Sequence, residues 1–197
     1  MTPRHPAEGE TGLADLAARA EGCTACGLSA TRTRVVFGAG RADAGLMFVG
    51  EGPGAEEDRR GEPFVGRAGT LLGQLIVGIG LTREDVYIAN VVKCRPPGNR
   101  NPAPTEIDAC SPWLDRQLAL VRPTVIMTLG NFATQLLLGT REGITRLRGR
   151  EFPLARAGVD ATVVPTFHPA AVLRSGGTML AETRADFVRV KRLLAAR

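Results

Sequence analysis

Three polar side chains in this sequence stand directly at the ends of apolar runs. Glu51 follows "LMFVG", Asn90 closes "VYIAN", and His168 follows "VVPTF". A fourth candidate, Phe64, lies within "GEGPGAEEDRRGEPFVGRAGTLL", from Gly50 to Leu72. A carboxylate, an amide, an imidazole and an aromatic ring are the parts needed to hold a planar polar ring. The aromatic stacks on its face. The Asn amide carries both donor and acceptor, so it pairs with the edge of a base. The imidazole donates to an oxygen that gains charge. The carboxylate positions water or stabilises a cationic sugar. Each type also has a plain structural use, as turn, core or cap residue. His168 is the strongest candidate alone, because "His-Pro" after an apolar strand holds the ring at a strand mouth. His5 lies in the N-terminal segment and does not compete.

The Gly50–Leu72 segment carries five acidic residues in a chain of net charge +5. Acidic clusters are usually solvated surface, but this one reads as a glycine-rich loop at a strand exit. Glu56 and Glu62 are read as surface.

There are four cysteines: Cys23 and Cys26 as C-x-x-C, then Cys94 and Cys110. A chain read as intracellular seldom needs disulfides, so a four-thiolate site is the leading reading. Spacing alone admits zinc or an iron–sulfur cluster. Buried free cysteines and a redox C-x-x-C are the plainer alternatives.

The elements that must position these residues follow from periodicity. "GLADLAARAEGC" reads as a helix leading to the first cysteine pair. "RVVFGAG" reads as a short strand and "GLMFVGEG" as a buried one. Leu71, Leu72, Leu75, Ile76 and Ile79 share one helical face, with Gly80 as its stop. "DVYIANVVKC" is the next strand. "RPPGNRNPAPT" is too rich in Pro, Gly and Asn for regular structure. Thr105 and Asp108 resemble a capping pair, opening a helix in which Pro112 takes an early turn or marks a restart. "PTVIMTLG" and "ATVVPTFHP" read as strands, "NFATQLLLG" and the tail from Thr178 as helices. Strands alternating with helices predict an α/β fold: a three-layer αβα sandwich with a short, mostly parallel central sheet. In such sheets the chemistry lies beyond the carboxyl ends of the strands. The exits "VGEGPG", "ANVVKC", "TLGN" and "TFHP" can therefore share one crevice.

The 197 residues are 44% apolar, enough for one core. The expected organisation is a frayed tail over 1–10 and a single domain over 11–197. No signal peptide and no run of about 18 apolar residues is found, so a cytoplasmic protein is expected. The 23 Arg and 2 Lys suit a polyanionic partner, although this is weak evidence alone. A monomer is the default. No P-loop motif is present, which counts against an NTPase.

"GEGPGAEEDRRGEPFVGRAGTLL", "NVVKCRPPGNRNP", "TLGN" and "FHPAAVLR" resemble the signature segments of the family 4 uracil-DNA glycosylases. The resemblance runs in order from about Gly22 to Leu194, and includes the four-cysteine pattern. It implies a monofunctional enzyme that flips uracil out of DNA and hydrolyses its N-glycosidic bond, leaving an abasic site. It implies a [4Fe–4S] cluster held by Cys23, Cys26, Cys94 and Cys110. Glu51 with Gly50, Gly52 and Gly54 then forms the first active-site loop, whose glycines allow close backbone approach. Phe64 stacks on uracil, Asn90 reads its edge, and His168 stabilises charge on O2. "HPAAVLR" is the segment that enters DNA, with Leu173 and Arg174 as contacts. Arg95 and Arg100 are placed to meet phosphates. The best-known branch of the superfamily has a water-activating Asp where this chain has Gly52, and the resemblance to family 4 implies a small residue there, so the acid must be another: Glu51, Glu57 and Asp58 are the candidates, with Glu51 ranked first and Glu57 second. Another branch crosslinks to DNA through a loop histidine. The fifteen residues between Cys94 and Cys110 contain none, so turnover is expected. Two other classes remain as alternatives: an iron–sulfur DNA-binding module with a degenerate site, and a nucleotide phosphohydrolase.

Overall fold

A computed structural model describes residues 12–175 and 177–196 of the chain. The expected tail over 1–10, with His5, lies outside the described residues. Six strands form one sheet: β1 (Ala39–Gly40), β2 (Leu46–Gly50), β3 (Tyr87–Asn90), β4 (Val125–Leu129), β5 (Phe152–Arg156) and β6 (Val159–Thr166). Their order is β1-β3-β2-β4-β6-β5. The four inner strands are parallel and the two edges antiparallel. Buried parallel strands are covered on both faces, which is why they read as unbroken apolar runs.

The helices are α1 (Leu13–Glu21), α2 (Ala55–Arg60), α3 (Arg67–Gly78), α4 (Pro104–Val121), α5 (Asn131–Leu138), α6 (Ile144–Leu147), α7 (Pro169–Ser175) and α8 (Gly177–Ala195). Strand residues alternate between two cores. Met47 and Val49 of β2 face Leu16 of α1, Trp113 and Leu114 of α4, and Ala133 of α5. Leu46 and Phe48 face Leu72 and Ile76 of α3 and Phe187 and Val190 of α8. The expected αβα sandwich is thus present. No described helix is long and apolar enough to cross a membrane.

Local readings change in five places. Within "RVVFGAG" only Ala39–Gly40 pairs as strand, although Val36 N–H donates to the Lys93 carbonyl at 2.8 Å. β5 carries no clear strand signal in the sequence, because Pro153 interrupts its pattern; an edge strand tolerates a proline. The acidic segment is not all loop: residues 55–60 form α2, with Glu56, Glu57 and Asp58 in its first turn. Acids there complement the partial positive charge of a helix N-terminus. Glu106, not Asp108, closes the start of α4, accepting from Ala103 N–H at 2.7 Å. Pro112 neither starts nor restarts that helix. It sits inside it, and the Asp108 carbonyl that its missing N–H leaves free accepts from Ser111 Oγ at 3.2 Å.

Candidate active site and cysteine cavity

A cavity of about 430 Å³ opens at the carboxyl ends of the parallel strands. It is lined by Glu51, Gly52, Gly54, Glu57, Phe64, Asn90, His168 and Arg174, all singled out from sequence. β2 delivers Glu51, β3 delivers Asn90, and β6 delivers His168 two residues past its end. Strand exits are locked together, since Val91 and Val92 N–H donate to the Gly50 and Glu51 carbonyls at 2.9 and 3.1 Å.

Asn90 is 1% exposed, and its Oδ1 is buried without a hydrogen-bond partner. An orphaned amide oxygen on a residue that lines a cavity is costly unless a ligand completes it. Its main chain is fixed from behind. Lys93 Nζ, itself buried, donates to the Asn90 carbonyl at 2.7 Å and to Gln117 Oε1 at 2.5 Å. Gln117 Nε2 in turn donates to the Phe37 carbonyl and to the Tyr87 hydroxyl. Burial pushes the Lys93 ammonium down to about 8.

Phe64 lies against Asn90 because Gly50 has no side chain. A Cβ there would meet the Asn90 amide and come within 2.6 Å of Phe64 Cζ. Phe64 itself has φ +53°, a left-handed conformation rare for an aromatic. Such strain costs on the order of 1–3 kcal/mol and survives only when surroundings enforce it. Gly69 is part of that enforcement: a Cβ would overlap the Phe64 carbonyl.

His168 Nδ1 accepts from the Ala170 N–H at 3.1 Å. Burial, reinforced by the Arg174 charge and opposed by Glu57, pushes the imidazole down to about 4. The ring is therefore neutral at ordinary pH, with its proton on Nε2. Glu51 is half-buried, and burial raises its carboxyl above the usual 4.5.

The other acids separate. Glu57 lines the cavity, but its Oε1 accepts from Val65 and Gly66 N–H, both at 3.0 Å. Asp58 points away. It is 4% exposed and accepts from Thr33 N–H at 2.9 Å, so it ties α2 to the chain before β1 and does not line the cavity. Glu56 and Glu62 are exposed and paired with Arg59 and Arg83, as surface residues are.

Of the expected DNA contacts, Arg174 borders the cavity and Leu173 beside it is 44% exposed on α7. Arg95 and Arg100 do not line the cavity. Arg95 Nε donates to Asn99 Oδ1 at 2.7 Å. Arg100 makes a two-pronged pair with Glu106, at 2.7 and 2.9 Å, which neutralises much of its charge. Sequence reasoning missed Pro96, Asn99, Asn101 and Pro102, which form one cavity wall. Their position between two candidate ligands was the available signal. It also missed Lys93, one of only two lysines and placed in the apolar run "NVVKC".

The four cysteines are free thiols that line a second cavity, with Arg32, Lys93 and Trp113. Among the described residues no group of three or more His, Cys, Asp or Glu is disposed to hold a metal ion. The surroundings nevertheless suit an anionic sulfur cluster. Cys94 Sγ accepts from Arg32 Nη1 at 3.4 Å, and Cys110 Sγ from Lys93 N–H at 3.3 Å. The buried indole N–H of Trp113 has no partner. Burial raises the Cys26 and Cys94 thiols and pushes Cys110 up to about 12. A metal ion bound by the thiolates would overcome that penalty.

A family model described as the Uracil DNA glycosylase superfamily matches residues 37–194. The chain is 46% identical over 165 residues to the type-4 uracil-DNA glycosylase of Archaeoglobus fulgidus, covering 82% of this chain and 83% of the other. It is 50% identical over 158 residues to the Thermotoga maritima enzyme of the same name, covering 80% and 81%. The like-named Sulfurisphaera tokodaii enzyme is 47% identical over 156 residues, covering 77% and 71%.

Proposed function

This chain belongs to the uracil DNA glycosylase superfamily, and we propose that it removes uracil from DNA by hydrolysing the N-glycosidic bond. The observation that carries the reading is the unpartnered Asn90 Oδ1, buried beside an aromatic ring at the strand exits.

The base must first leave the duplex, at a cost of roughly a few kcal/mol, less in a U·G mismatch. Phe64 offers it a stacking face. Uracil presents an N–H beside its carbonyls, and Asn90 can accept from that N–H while donating to O4. Cytosine has an amino group where uracil has O4, so a fixed amide discriminates by about 1–3 kcal/mol. Lys93 and Gln117 keep that amide's backbone in place.

Bond cleavage leaves positive charge on the sugar and negative charge on the base. A neutral His168 with its proton on Nε2 is a donor suited to an oxygen that becomes anionic. Glu51 is the carboxylate we assign to water or to the sugar cation. Its raised pKa makes it a stronger base than an exposed glutamate. Glu57 takes a supporting part, since its carboxylate already binds two loop amides. Leu173 and Arg174 are assigned to the DNA strand beside the flipped base. Arg95 and Arg100 are assigned to shaping the cavity wall, with phosphate contact secondary.

Cys23, Cys26, Cys94 and Cys110 would hold a [4Fe–4S] cluster. Bound there, it supplies a cross-link between the segment after α1 and the loop that walls the active site. The substrate is taken to be uracil-containing DNA, single- or double-stranded, bound by a monomer.

The test is single-turnover incubation with a labelled oligonucleotide carrying one uracil, in EDTA, followed by alkali. A uracil-dependent break is expected. A break that forms without metal ions also separates this reading from a phosphohydrolase. No break, from protein that carries its cluster, would leave a DNA-binding module.

A further inference from the structure

Four consecutive residues around the stacking ring have their outward main-chain groups bound by side chains from elsewhere. Glu57 of α2 takes the N–H groups of Val65 and Gly66 at 3.0 Å each. Arg83, from the 3₁₀ turn Arg83–Asp85 ahead of β3, takes the carbonyls. Its Nη1 donates to Phe64 O at 3.0 Å and its Nη2 to Pro63 O at 2.8 Å. Glu62 adds a weaker contact to the same guanidinium at 3.5 Å. Phe64 sits inside this clamp at φ +53°. Arg83 does not line the cavity.

We propose that Arg83 is a positioning residue, which holds Phe64 in its strained conformation so that the ring presents its face to the flipped base. This rests on the glycosylase reading of the site. The guanidinium suits the task because its fork bridges two neighbouring carbonyls in one plane. Lysine has a single ammonium on a flexible stem and cannot hold both carbonyls with the same geometry. Released, the 63–66 segment relaxes toward negative φ at Phe64, and the ring swings from its place. Small misplacements of that kind cost roughly a hundredfold in rate.

The test is a double-mutant cycle of Arg83→Ala and Phe64→Leu, read by single-turnover uracil excision beside DNA affinity and melting temperature. Arg83→Ala is expected to slow excision by about a hundredfold with DNA affinity unchanged. In the Phe64→Leu background it is expected to cost almost nothing further, because its effect runs through the ring. Arg83→Lys is expected to recover melting temperature more fully than rate, and it serves in the cycle if the alanine variant does not fold. Additive losses in the two backgrounds, or a fall in melting temperature with no loss of rate, would overturn the proposal. Absence of excision by the parent protein would instead defeat the glycosylase reading itself.

Discussion

The rings of Phe64 and His168 lie 5.7 Å apart, centroid to centroid, and are inclined at 33°. A base held between them would need two van der Waals contacts of about 3.5 Å or more, so about 7 Å in all. The gap is too small. A base stacked on Phe64 therefore meets His168 at its edge, where a ring carbonyl lies. The histidine then acts as a hydrogen-bond donor and not as a second stacking face. Phe64→Leu should lower kcat/KM by about 1–3 kcal/mol, the usual worth of base stacking. That is roughly five- to 150-fold, measured on single-stranded uracil DNA. An unchanged value would remove the ring from base binding.

His168 and Glu51 predict the pH profile. The folded imidazole takes up a proton only near about 4. The carboxyl of Glu51 does so above its usual 4.5. The acid limb of single-turnover activity should therefore belong to Glu51, not His168. His168→Ala should lower the rate strongly and keep DNA affinity. Glu51→Gln should leave a small residual rate without that limb. An acid limb that survives in Glu51→Gln would reassign the base.

The same histidine bears on stability. In the unfolded chain it titrates near 6.5, in the folded one near about 4. Between these values the unfolded chain binds more protons, so stability falls as pH is lowered from about 6.5 and stops falling below about 4. Denaturant midpoints of parent and His168→Ala should diverge over this window, with the parent the more pH-sensitive. Parallel curves would show that the imidazole is not depressed.

Asn90→Asp tests base reading. A carboxylate cannot donate to uracil O4 but can accept from the cytosine amino group. Discrimination between the two bases, about 1–3 kcal/mol per good base-edge pair, should shrink. Competition between uracil and cytosine oligonucleotides reads this directly. Unaltered discrimination would place specificity elsewhere.

Cys94→Ala should abolish the visible absorption of an iron–sulfur cluster and lower soluble yield. Because Pro96, Asn99, Asn101 and Pro102 wall the active-site cavity, activity should fall with it. A spectrum and iron content equal to the parent's would defeat the cluster assignment.

Much of the architecture was legible because its signals are local. Unbroken apolar runs marked β2, β3, β4 and β6, and the polar residues at the ends of three of these runs marked the site. Glu51, Asn90 and His168 needed no more than strand ends to be found. β5 is illegible in the sequence because Pro153 hides an edge strand, and α2 because six helical residues lie among glycines.

The sequence by itself determined the layered fold, the four strand exits and the identity of the candidate side chains. It did so because alternation, apolar runs and motif spacing are properties of neighbouring residues. Only the tertiary structure decided which acids face the cavity. Glu57 and Asp58 are adjacent in the chain, yet one turn of helix holds 3.6 residues, so they point about 100° apart. One reaches Val65 and Gly66 beside the cavity; the other reaches Thr33 behind it. The same holds for Arg83 and Lys93, whose contacts to the site are with main-chain carbonyls, those of Pro63, Phe64 and Asn90. Every residue has such a carbonyl, so no pattern of side chains announces which one will be bound.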